Sequence, residues 1–155
     1  MDKFLIAVGC QESKLDFLDR KQKRKLMDFL QVQGTQYKSV ISVIRCAMQG
    51  SDNFKRSNDT LGNTSVEYLS YPSDTVLEVP GYDLDCKGFR KDVIYDIVGM
   101  SSAASVLTIA MSMYSNGYKV RVLEEYCFDR KGDDMHEAAF DIMEAYMPGC
   151  VVKEG

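Results

Sequence analysis

Apolar residues cluster along this chain in short blocks separated by polar stretches, and the blocks alternate between two periods. Residues 3–9 carry an unbroken apolar run, Phe4 to Val8, which predicts a strand buried on both faces. Over 13–33 the apolar members Leu15, Phe17, Leu18, Leu26, Phe29, Leu30 and Val32 recur among polar residues, which predicts an amphipathic helix, with Gly34 as its stop. A second strand is expected over 39–47, rich in Val and Ile. Residues 49–74 are dominated by Gly, Ser, Asn and Asp and read as a long loop, a length that is usually functional or mobile in a small domain. Short strands follow over 75–80 and 82–86, divided by Pro80-Gly81, then a strand over 92–98. A helix over 102–116 begins at Ser101 or Ser102 as N-cap and ends at Gly117. The pattern closes with a strand over 118–124, a helix over 134–146 begun by Asp133 or Asp134 and stopped near Pro148-Gly149, and a strand over 150–153.

Strand and helix thus alternate, which predicts an α/β fold: a doubly wound, Rossmann-like parallel sheet in a three-layer α/β/α arrangement. The 155 residues suit a single domain spanning 1–155. Hydrophobic residues make up 45% and charged residues 27%, the balance of a globular domain. A formal net charge of −4 argues against a nucleic-acid partner, and the one basic run, Arg20 to Lys25, reads as a solvated helix face. No apolar run is long enough to cross a membrane, and the N-terminus lacks a signal-peptide layout. Five scattered cysteines, Cys10, Cys46, Cys86, Cys127 and Cys150, with no CxxC pair, predict reduced thiols and a cytoplasmic setting. There is no GxGxxG and no GxxxxGK, so no cofactor is expected.

Candidate chemistry concentrates where the strand over 92–98 meets the helix over 102–116. A strand, a small-residue turn, a helix and a further strand form a crossover unit, and open α/β sheets bind ligands at such turns. The turn Gly99-Met100-Ser101-Ser102-Ala103-Ala104-Ser105-Val106 aligns without a gap with Gly-Val-x-Thr-Asp-x-Cys-Val. That is the motif of the isochorismatase-like cysteine hydrolase superfamily, which includes nicotinamidases, and the chain resembles that family. Gly117-Tyr118, Val122-Leu123-Glu124-Glu125, and His136 before Ala138 and Ala139 also fall where the family pattern places them. The best match covers 92–153. A weaker one covers 4–46, where the family's Asp-x-Gln reads Gly9-Cys10-Gln11, and residues 48–91 match poorly.

The resemblance implies a role for each position. A thiolate at the helix start attacks a carbonyl, turn amides hold the oxyanion, an aspartate from the first strand is the base, and a lysine stabilises charge. Here the nucleophile position holds Ser105, the base position holds Gly9, and the lysine position falls on Lys87. The oxyanion turn comprises Met100, Ser101, Ser102 and Ala104. Catalysis would survive if Glu12, Glu125 or Lys87 reached Ser105. Cleft candidates are Gly9, Cys10, Gln11, Cys46 and Glu125, with Cys10 as a displaced nucleophile. Glu124-Glu125, with Asp129 beyond, would polarise a cleft. Cys10, Cys46 and Cys86 each end a predicted strand and read either as a soft-metal or redox-sensitive edge or as apolar packing, the second being favoured. No metal is expected: the family's Asp-x-His at the second strand end is Arg45-Cys46-Ala47, and His136, the one histidine, reads as a surface or capping residue. The residues therefore favour a protein that binds a small molecule without the family's catalytic set. A divergent hydrolase of a small amide, ester or vinyl ether is the alternative, and a structural subunit is the third. The resemblance also implies a homo-oligomer built through helices flanking the sheet.

Overall fold

A computed structural model describes residues 1–45 and 69–153. Six strands, β1 (Lys3–Val8), β2 (Ser39–Arg45), β3 (Thr75–Val79), β4 (Ile94–Met100), β5 (Lys119–Phe128) and β6 (Val151–Val152), form one sheet in the order β3-β2-β1-β4-β5-β6. Every neighbouring pair is parallel. The helices are α1 (Glu12–Leu15), α2 (Arg20–Gln31), α3 (Leu107–Ser115) and α4 (Asp133–Tyr146), and α3 is entered through a π-helical turn over Ser102–Val106. This is the doubly wound, three-layer arrangement that the alternation predicts.

The apolar run of β1 is divided between two cores by the strand's two-residue period. Ile6 and Val8 pack with Ile97 and Val122 against Ile109, Ala110 and Met113 of α3 and Phe140 and Met143 of α4. Leu5 and Ala7 pack with Val98 against Leu26, Phe29 and Leu30 of α2. The central strand needs apolar side chains at successive positions because both of its faces are covered.

Three expectations are corrected. The helix expected over 13–33 is two helices, because Asp19 starts α2 with a capping box. Its carboxylate accepts the Gln22 N–H at 2.7 Å, and the Gln22 amide oxygen accepts the Asp19 N–H at 3.3 Å. Phe17 and Val32 accordingly stand 54% and 62% exposed rather than on a buried stripe. No strand forms over 82–86, where the Asp83 and Asp85 carboxylates accept the N–H groups of Leu84 and Lys87 and hold an irregular turn instead. The strand expected over 118–124 continues to Phe128, through an irregularity in which Ile97 pairs with Val122 but Gly99 pairs with Cys127. Most of the loop expected over 49–74, and Cys46, lie outside the described residues. Its last residues dock on the sheet: Tyr71 is buried, with its hydroxyl 2.8 Å from Ser42 Oγ, and Asp74 accepts the Val40 N–H.

Two contacts hold the centre of the sheet. Gly99 pairs with Val8 at a φ of +121°, and a Cβ there would lie 2.0 Å from the Val8 carbonyl oxygen, so only glycine lets β4 run this close to β1. Three residues earlier on β4, Asp96 is 1% exposed and fully partnered. Arg121, its register neighbour on β5, donates Nε and Nη2 to the two carboxylate oxygens at 2.8 and 2.9 Å, and the Tyr37 hydroxyl donates at 2.6 Å. The bond to Asp96 raises the Arg121 pKa, while burial first and Asp96 second raise that of Tyr37.

Gly99→Ala is expected to cost about 3 kcal/mol or more, since positive φ and a backbone clash coincide. Asp96→Ala is expected to cost about 3 kcal/mol, at the low end for a buried pair because Arg121 retains some solvent access. Urea unfolding with an unchanged m-value checks both.

Candidate functional site

The strands of this sheet all point the same way, so their C-terminal ends meet along one edge. The order reverses between β1 and β4, which opens a crevice there. A cavity of about 580 Å³ fills it, a volume suited to a small metabolite. Val8 and Gly9 after β1, Val43 and Arg45 of β2, Val79 of β3, Met100 and Ser101, and Asp129 and Arg130 after β5 all contribute to its walls. Ala103, Ala104 and Ser105 of the π-helical turn form one side, and Gln11 and Lys14 of the β1–α1 corner another.

The turn is built from its own backbone and one carboxylate. The Met100–Ser101 peptide is cis, and Ser101 has extended geometry. The Ser101 carbonyl accepts the N–H groups of Ala104 and Val106, both at 3.1 Å. Asp129 Oδ2 accepts the Ala103 N–H at 2.8 Å, and Asp129 Oδ1 accepts the Lys131 N–H at 2.8 Å. Among the amides of the expected oxyanion turn, that of Ala104 is therefore engaged within the turn itself. Ser102 is fully buried and lines neither this cavity nor its neighbours. Met100, Ser101 and Ala104 do face the cavity.

Ser105 lies in the cavity wall, and none of the described residues hydrogen-bonds its hydroxyl. None of the three groups considered as its activator lines that cavity. Glu12 pairs with Lys23 at 3.7 Å. Glu125 pairs with Lys25 at 3.6 Å in a separate hollow beside Glu124 and His136. Lys87 lines a third hollow with Asp83, Asp85 and Tyr118. The placement of Lys87 follows from the irregular turn over 82–86, which leaves it away from the strand ends. Gly9 reaches the cavity with a φ of +64°, and a Cβ there would stand 2.6 Å from the Met100 carbonyl oxygen. An acidic side chain at position 9 therefore requires the backbone to shift.

Among the described residues, Cys10 and Cys86 do not converge. Cys10 packs with the α2-side core and Cys86 with the α3-side core, on opposite faces of the sheet, so the shared thiol edge is replaced by apolar packing. Burial pushes the Cys10 thiol up to about 12 and raises that of Cys127 as well. A protonated, enclosed Cys10 is not a displaced nucleophile. Gln11, only 1% exposed, lines the cavity with no hydrogen-bond partner for Oε1.

Two residues that the pattern did not single out, Lys14 and Arg130, stand in the cavity walls. His136, read as a surface or capping residue, is half-buried beside a separate hollow. Its Nδ1 lies 2.7 Å from Ser102 Oγ and its Nε2 lies 3.4 Å from Glu124 Oε2. This Ser–His–Glu chain resembles a hydrolytic relay in composition, but the serine is sealed from every cavity. It ties α4 and the β5 irregularity to the buried start of the turn. Its sequence signals were the place of His136 early in a predicted helix and in the family pattern before Ala138 and Ala139.

Among the described residues, no three His, Cys, Asp or Glu side chains converge in a way that would hold a metal ion. At the end of β2 stands the cationic Arg45, which does not suit a metal ion at that position. No helix is long and apolar enough to cross a membrane among those described.

No protein-family model and no curated protein sequence matches the chain. Solved structures do. An isochorismatase-like hydrolase from Alkaliphilus metalliredigens superposes with a TM-score of 0.71 at 13% identity, covering 94% of this chain and 92% of that one. Pyrazinamidase of Pyrococcus horikoshii, solved in complex with zinc, gives 0.71 at 14% identity over 100% of both chains. The pyrazinamidase/nicotinamidase of Streptococcus mutans UA159 gives 0.69 at 15% identity over 97% of this chain and all of that one. The fold is that of the isochorismatase-like hydrolases, as the turn motif led one to expect.

Cys10 is expected to resist alkylation in the folded protein at pH 8, where about one thiol in ten thousand would be ionised, and to react on unfolding. Peptide mapping after iodoacetamide treatment checks this. Its raised pKa also has a stability consequence. The contribution is fully present below the ordinary thiol value of 9.0 and is lost as pH rises from there through about 12, because the unfolded chain releases the proton first.

Proposed function

We propose that this protein is a non-hydrolytic member of the isochorismatase-like superfamily that binds a small molecule in the cavity beside Ser105. One observation carries the reading: among the described residues the cavity offers no general base for that hydroxyl. The one carboxylate among its described lining residues, Asp129, accepts two backbone N–H groups and serves as the brace of the turn. Position 9 is a glycine packed against the Met100 carbonyl. A serine hydroxyl without a base is a poor nucleophile near neutral pH, so the scaffold retains a pocket without the means to activate an attack. Retention of a partly open cavity of this size, with both apolar and polar lining residues, supports binding over a purely structural role.

The alternative of a divergent hydrolase draws on Ser105 itself, which stands at the helix entry with its side facing the cavity. The two readings separate on turnover. Nicotinamide and pyrazinamide, the amides after which the structural relatives are named, are expected to remain intact with the purified protein at the rate of the buffer alone, and Ser105→Ala is expected to change nothing. Ammonia release measured by a coupled assay checks this. Hydrolysis above the buffer rate that Ser105→Ala abolishes would refute the reading.

A further inference from the structure

The cavity carries a charge opposite to that of the chain. The protein has a formal net charge of −4. Yet the cavity walls contain four basic residues, Lys14, Arg45, Arg130 and Lys131, against one carboxylate, Asp129, whose two oxygens already accept backbone N–H groups. Five basic residues outside the cavity, Lys23, Lys25, Arg90, Arg121 and Lys153, form ion pairs with acids, while, among the described residues, others on the surface do not. Lys14, Arg45 and Arg130 form none within 4.0 Å among the described residues.

The cavity wall also holds two buried polar atoms, Arg45 Nε and Gln11 Oε1, without hydrogen-bond partners among the described residues. An unpartnered buried donor on a charged group is costly, and a ligand that meets it recovers that cost on binding. Aromatic faces hold both guanidinium groups. Arg45 Cζ lies 4.4 Å from the centre of the Tyr82 ring, and Arg130 Cζ lies 3.9 Å from that of Phe17. Such stacking leaves the edges of a guanidinium, where its N–H donors point, available to a planar or tetrahedral oxyanion. Burial, and then the positive charges of Arg130 and Arg45, lower the Lys14 pKa, so the three cations share one field. An anion placed among them would relieve their repulsion.

We propose that this cavity is an anion site, taking a small molecule that bears a carboxylate or phosphate group between Lys14, Arg45 and Arg130. The inference rests on the binding reading above in that both need a ligand in this cavity, but it concerns the ligand's charge and not its fate. Gln11 then meets a neighbouring donor of the ligand, since an acceptor oxygen has nothing to offer an anion.

Calorimetric titration of the full chain with benzoate, phenyl phosphate and neutral benzamide tests it. At least one of the two anions is expected to bind about tenfold or more tightly than benzamide, with an affinity that falls as salt rises. Lys14→Gln and Arg45→Gln are each expected to weaken the preferred anion by about tenfold and to leave benzamide unmoved. Arg90→Gln, which removes a surface ion pair outside the cavity, is expected to change neither. The ranking of benzoate and phenyl phosphate distinguishes a carboxylate from a phosphate site. The comparison among ligands uses the unaltered protein, so it stands even if a variant misfolds. Equal affinity for benzamide and both anions, wild-type anion affinity in both substituted proteins while they melt normally, or binding of none of the three probes would overturn the proposal. Ser105-dependent cleavage of benzamide would instead sink the non-hydrolytic reading and leave the charge comparison intact.

Discussion

The close approach of β4 to β1 is the constraint on which the rest of the molecule depends. At Gly99 the β4 backbone passes so near Val8 that a Cβ would overlap its carbonyl oxygen. That approach brings Met100 up against Gly9 and sends the chain through Ser101 into the π-helical turn over the edge of the sheet. It sets where Ser105 sits and why position 9 tolerates so little. Lower on β4, Asp96 ties that strand to β5, its buried charge satisfied by Arg121 of β5 and by Tyr37. Buried ionic groups of this kind add little stability against an apolar replacement, but they penalise any misalignment that separates the partners.

Above that frame, polar groups are divided between structure and ligand. Asp129 and His136 are used internally: one braces the turn entry, the other joins Ser102 to Glu124. Lys14, Arg45 and Arg130 have no such employment among the described residues and face the cavity. Among the described cavity-lining residues the one carboxylate, Asp129, is bound to backbone, and the charged groups without an ion pair are basic. An excess of unpaired positive charge suits recognition of an anion and does nothing to draw a proton from a serine.

Much of this was legible in the chain. The alternation of apolar blocks predicts the parallel sheet, because a strand covered on both faces must be apolar throughout, and the run Phe4 to Val8 has no other reading. The small-residue turn from Gly99 to Ser105 marks the site, since only such residues let a strand, a tight corner and a helix follow one another so closely. The break at Asp19 was also written locally, in a capping box that helical periodicity overrode.

What the chain by itself determined is therefore the layering, the crossover turn and the absence of an acid at position 9, all properties of residues close together in sequence. Tertiary structure alone decided which side chains share a cavity. Asp129 and Arg130 reach it because β5 continues past an irregularity to Phe128, and Lys87 misses it because the 82–86 segment turns instead of forming a strand. The pairing of Ser102 with His136 spans 34 positions and leaves no periodic trace. The physical reason is common to all three. Hydrophobic period records which face of an element is buried, whereas the meeting of polar groups depends on where each strand ends and how the next segment leaves it.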